Sequence, residues 1–227
     1  MPANEKTDLL KQAARAIDKT LADAKIQELV APLGFPPDNL AEGRRRLDAA
    51  QAAYSAQRAA ERALPPATVA HNKAERATRA AYHALAEVAR ASCDRRTLTE
   101  LGLGRREPED SRMLIVVAQR LFDDVGRIPD LTKCGYNAEK LAAGRATIPA
   151  LTTARRTLID ANRAAHQAEV DQVTTFKALK SWMKWYTSTA KMALRAHPQL
   201  LKKLGILDST GKKAAASAKK QQPPTTT

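Results

Sequence analysis

The chain has 227 residues, only 4 % of them aromatic, with 9 Gly, 12 Pro and a formal charge of +14. Strong helix formers, alanine and arginine above all, replace the β-branched runs of a sheet protein, which excludes a β-rich fold and predicts an all-α one. The excess charge is uneven: residues 1–104 carry a net +3, residues 105–190 a net +4 and residues 191–227 a net +7.

In chain order, Leu10, Ile17, Leu21, Ile26 and Leu29 form an apolar stripe, so residues 7–31 read as an opening helix. Pro32, Gly34, Pro36 and Pro37 end it, and Asp38 or Asn39 can cap the next helix. There Leu40, Leu47 and Tyr54 recur every seven residues, a seam for a neighbouring helix. Pro65-Pro66 is expected to break that helix, because proline lacks an N–H and disfavours helical geometry in the residue before it. A third helix is expected from Ala67 to Ser92, followed by a Gly- and Pro-bearing link over residues 93–112.

The run Met113–Val117 opens a helix to about Val125. From Glu139 the helical pattern resumes through Ile148, Leu158, Phe176 and Tyr186, as one unusually long helix or as a hairpin turning near residues 162–171. Residues 208–227 hold almost no apolar side chain larger than alanine and are expected to be a disordered basic tail.

One block is written twice. Gly34-Phe35 followed by Leu40 and Gly43-Arg44 returns as Gly135-Tyr136 followed by Leu141 and Gly144-Arg145, an offset of 101. Leu98–Leu103 is echoed by Leu201–Ile206 at an offset of 103. This order predicts a tandem-duplicated helical unit forming an antiparallel bundle with long helices: residues 1–104, then 105–207, packed as one bundle, then the tail. The block reads as a structural corner. Gly34 and Gly135 permit the turn, Phe35 and Tyr136 plug it, Gly43 and Gly144 admit a neighbouring helix, and Arg44 and Arg145 tie down carbonyls ending the preceding helix.

Sites for chemistry are hard to find. His71/Glu75 and His83/Glu87 stand four residues apart and His166/Glu169 three, but a di-metal bundle needs Glu-x-x-His on two helices, and none occurs. Cys93 and Cys134 have no second Cys or His at ligand spacing and read as free thiols. No phosphate-binding glycine loop is present. The expectation is therefore no catalytic residue, no cofactor and no metal.

The segment 176–194 is the most suggestive. Phe176, Leu179, Met183 and Tyr186 share one helical face and Lys177, Lys180, Lys184 and Lys191 a second, while Trp185 falls outside both. An amphipathic core helix with a solvated lysine edge accounts for this pattern. The functional alternative is a polyanion-binding stripe continued by Lys202 and Lys203 and by Lys212, Lys213, Lys219 and Lys220 in the tail, with Trp185 as a contact residue or part of an oligomer interface.

The repeated Gly-aromatic and Leu-x-x-Gly-Arg blocks, with the closing Leu-Gly-Leu/Ile, resemble uncharacterised bacterial Ala/Arg-rich helical proteins of similar length. That resemblance covers roughly residues 25–207 and implies a helical bundle, with no activity attached. The sequence thus points first to a non-enzymatic scaffold that associates with itself or with another protein. Nucleic-acid binding through the tail and the Lys177–Lys191 face is the alternative, and a membrane-surface role ranks third. The start of the chain, Met1–Lys6, lacks the apolar core of a signal peptide, and no run reaches the ~20 apolar residues of a bilayer span. A cytoplasmic location is expected.

Overall fold

A computed structural model describes residues 3–103, 108–128 and 135–206. Among them there are seven α-helices and no strand: α1 (Ala3–Leu21), α2 (Ala24–Val30), α3 (Pro37–Ser92), α4 (Arg95–Glu100), α5 (Ser111–Asp123), α6 (Ala138–Ala193) and α7 (Pro198–Leu204). The expected tail, with Lys212, Lys213, Lys219 and Lys220, lies outside the described residues, as does Cys134.

The opening segment is two helices. Asp23 takes extended backbone between α1 and α2, and its carboxylate accepts the N–H groups of Lys25 (3.1 Å) and Ile26 (3.4 Å). A short acidic side chain that satisfies two orphan donors at a helix start outweighs one more turn of continuous helix. After α2, a 3-10 turn over Ala31–Leu33 ends on Gly34 at φ +98°, the left-handed region that glycine enters without strain. Pro37 then stands as the first residue of α3, where its missing N–H is no loss.

The Pro65-Pro66 break expected from sequence does not occur: α3 runs through both prolines for 56 residues. The missing N–H groups would have bonded the carbonyls of Glu61 and Arg62, which stand on exposed residues where water can take them. The Thr68 hydroxyl donates to the Leu64 carbonyl at 2.9 Å, securing the turn beside the prolines. The second long segment is likewise one helix, and α6 passes through Pro149. Asn137 caps it, its side-chain oxygen accepting the Lys140 N–H at 2.9 Å. Like α3, α6 has 56 residues, and it starts and ends 101 residues after α3 does.

The chain divides into two compact units. Unit 1 comprises residues 1–56 and 169–227, and unit 2 comprises residues 57–168. The division does not fall at residue 104. Each unit takes the head of one sequence half and the tail of the other, and the long helices α3 and α6 each contribute to both.

Unit 1 closes on Ile17, Phe35, Leu40, Leu47, Leu179 and Tyr186, all fully buried. Unit 2 closes on Leu85, Leu114, Leu121, Phe122 and Leu151, all fully buried, with Tyr82 and Ile148 nearly so. Positions 101 residues apart share their burial: Leu47 with Ile148, Ala50 with Leu151, Tyr82 with Met183, Leu85 with Tyr186 and Ala89 with Ala190 are all core residues. The short helices that follow α3 and α6 finish alike. Gly102 (φ +79°) ends α4 and Gly205 (φ +75°) ends α7, and the next N–H returns to Leu98 O (2.8 Å) and Leu201 O (3.0 Å). That is the six-to-one bond by which a left-handed glycine terminates a helix.

Candidate polyanion face and the repeated corner

At the first corner, Phe35 is fully buried beneath Gly34, with its ring centroid 4.4 Å from Trp185, 5.2 Å from Tyr186 and 5.7 Å from Trp182. Trp182 and Tyr186 stack at 5.3 Å, one turn apart on α6. Gly43 lies against the Trp182 ring so closely that an added Cβ would fall inside the indole. Arg44 pairs with Asp18 of α1. The Thr20 hydroxyl donates to the Ala16 carbonyl at 2.7 Å and accepts a hydrogen bond from the Tyr186 hydroxyl. Burial pushes the Tyr186 phenol up despite that bond.

At the second corner, Gly135 holds φ +76° and its carbonyl accepts from Lys140 Nζ at 2.7 Å. Tyr136 is half-buried, and burial raises its phenol, with the Glu87 charge adding to the effect. Gly144 faces the Phe122 ring, where an added Cβ would come within 2.5 Å. Arg145 donates to the Phe122 carbonyl at 2.6 Å, at the end of α5. Arg145 thus reaches a carbonyl at the end of the preceding helix α5, whereas Arg44 does not reach the end of α2: its partner is a carboxylate on α1, one helix further back.

The lysine face lies in unit 1. Lys177, Lys180 and Lys184 are exposed on α6, and Lys191 is half-buried one to two turns on. Among the described residues no carboxylate pairs with Lys177, Lys180 or Lys184. Trp185 is 48 % exposed, one flank of its ring fixed by Phe35, and Met192 stands 66 % exposed seven residues later on the same helix. Sequence reasoning missed two members of this neighbourhood. Lys6 of α1 reaches across to donate to the side-chain oxygen of Gln172, which is almost completely buried. The sequence sign was a long polar side chain one turn before Phe176, on the helical face that continues to the buried Phe176 and Leu179.

The His/Glu pairs hold no ligand set. Glu75 accepts from Arg79 at 2.8 Å, with His71 farther away at 3.9 Å, and Arg79 also donates to the Pro108 carbonyl at 3.0 Å. Among the described residues no group of three or more His, Cys, Asp and Glu could hold a metal ion, and no helix is long and apolar enough to cross a membrane. Cys93 is a half-buried free thiol pushed up by burial, with the Asp94 charge adding to the shift, and a raised thiol is a poor nucleophile at neutral pH.

Comparison with protein-family models, with curated proteins and with solved structures found no match. Functional reading therefore rests on this chain's own geometry.

Proposed function

We propose that the chain is a tandem duplication folded as an antiparallel bundle, and that it serves as a non-enzymatic scaffold acting by association with itself or a partner protein. Support for the duplication comes from the equal lengths and common offset of α3 and α6, the shared burial at that offset, and the paired glycine helix ends. Support for opposed chain directions comes from unit 1, where Gly43 meets Trp182 while Tyr54, eleven residues on, meets Phe176 at 6.2 Å.

The observation that carries the scaffold reading is Trp185. A tryptophan half in water and packed against Phe35 on its other side offers large contact area at low cost in side-chain entropy, which is what an interface anchor needs. Met192, exposed on the same flank, extends it. Light scattering on the full chain is expected to give a mass above the 24.7 kDa of one copy, or a captured protein partner, with either lost on Trp185→Ala. A strict monomer that captures nothing would overturn the reading.

A second reading is favoured by Lys177, Lys180 and Lys184, three exposed ammonium groups on one flank of α6 with no carboxylate partner among the described residues. They suit phosphates of a nucleic acid, with the basic tail adding charge. Affinity for a DNA or RNA duplex is then expected to fall steeply between 50 and 200 mM salt. Absence of binding at low salt would exclude it.

A further inference from the structure

Between α1 and the distal part of α6, within unit 1, a cavity of about 220 Å³ is lined by Lys6, Gln172, Val173, Phe176, Lys177 and Lys180. Three of these six residues are cations and none is a carboxylate. Val173, Phe176 and the lysine stems supply the apolar part of the wall, and Phe176 is itself almost wholly buried. Gln172 is the unusual member. Burying a primary amide is costly unless it is hydrogen-bonded, and here its oxygen fixes Lys6, the one lining cation that comes from another helix. The cavity is thus more than a chance gap between solvated lysines. A buried polar group orients one ammonium at its edge, and two more stand one turn apart along α6.

Size narrows the ligand. A water molecule's share of liquid volume is about 30 Å³, so the cavity corresponds to roughly seven waters. Drug-sized ligands occupy pockets of about 300–1,000 Å³, so a nucleotide or a full lipid is too large for this one. An apolar wall with a cationic rim fits a short amphipathic anion. We propose that this cavity binds a small organic acid with an apolar body of about eight carbons, its carboxylate taken by Lys6, Lys177 and Lys180 and its chain lying against Val173 and Phe176. The proposal depends neither on the scaffold reading nor on the nucleic-acid one, since it needs no partner macromolecule and no tail.

The test is isothermal titration of the full chain, at physiological salt, with octanoate below its micelle concentration, and with octanol and acetate as probes lacking the charge or the chain. Saturable octanoate binding is expected, with octanol and acetate each at least tenfold weaker. The Lys177→Gln/Lys180→Gln double variant, which changes only exposed side chains, is expected to keep its helical circular dichroism and to weaken octanoate at least tenfold. Octanol binding as tightly as octanoate, an unchanged affinity in the folded double variant, or no saturation by octanoate would each overturn the proposal.

Discussion

The two compact units carry a similar glycine corner and fill the space beside it differently. In unit 1 the space beside the corner glycine is taken by Trp182, from the tail of α6. In unit 2 the residue 101 positions earlier is Ala81, whose methyl has none of that bulk, and it is Phe122 of α5 that stands against Gly144. The counterpart of Phe122 at the same offset is Leu21, which in unit 1 is 42 % exposed. The large side chain stands on the long helix in unit 1 and on the shorter helix in unit 2, while the corner glycine, several buried positions and the glycine-terminated helix ends recur. The lesson concerns what a core requires. Interiors are close-packed, so the volume beside a helix corner must be filled, but either neighbouring helix can supply the side chain.

The largest expected effect comes from emptying the unit 1 corner. Trp182→Ala removes a buried aromatic and should destabilise the protein by about 3–5 kcal/mol in urea unfolding. Adding Leu21→Phe, the unit 2 solution, should restore part of that loss. No recovery in the double variant would mean that the two fillings are not alternatives. The indole N–H of Trp182 is buried without an acceptor among the described residues, so Trp182→Phe should cost much less than Trp182→Ala.

Next in size are the corner glycines. Ordinarily Gly→Ala inside a helix stabilises by ~1 kcal/mol. Here Gly43→Ala meets an indole wedged between Phe35 and Tyr186 and should instead destabilise by about 2 kcal/mol. Gly144→Ala should destabilise less, because it meets a single ring. If the account is right, Gly43→Ala in a Trp182→Ala background turns neutral or stabilising, which a double-mutant cycle measures directly.

The prolines provide an effect of opposite sign. Pro65→Ala together with Pro66→Ala restores two helical hydrogen bonds in α3 and should raise stability by about 2 kcal/mol or more, read as an increased urea midpoint. A decrease would argue that α3 is bent or interrupted there in solution.

The smallest effect is electrostatic and confined to unit 1. Asp23 accepts from Lys203 at 2.6 Å, and that bond, with the Ile26 and Lys25 N–H groups, holds its carboxyl below the ordinary value of 3.8. A carboxyl depressed in the folded state contributes stability above its unfolded pKa, and the contribution is lost as pH falls through the folded one. Between pH 6 and pH 3 the wild type should therefore lose more stability than Asp23→Asn. Equal losses would remove Asp23 from the account.

How much of this was legible in the residues follows from what each feature depends on. The corners could be read because glycine, aromatic and arginine act locally, through φ, size and reach. The lysine face of α6 could be read because helical period fixes it. Continuity of α3 through Pro65-Pro66 could not, since local cost at two exposed residues was outweighed by packing far along the same helix. The meeting of Lys6 with Gln172 was also hidden, because no short-range pattern links residues 166 positions apart. Nor did the repeat reveal that each compact unit would draw on both halves: a repeated block gives equivalence between segments, and pairing is decided by packing.

That pairing is the central claim, and cleavage of the folded chain tests it most directly. A protease site placed in the connection between Leu103 and Pro108 of the full-length protein allows the halves to be separated covalently after folding. If each half gives its head to one unit and its tail to the other, the nicked protein should keep the mass and helical spectrum of the uncut chain in native buffer and come apart only in denaturant. Two fragments that part in native buffer, each retaining its own helical spectrum, would contradict the account.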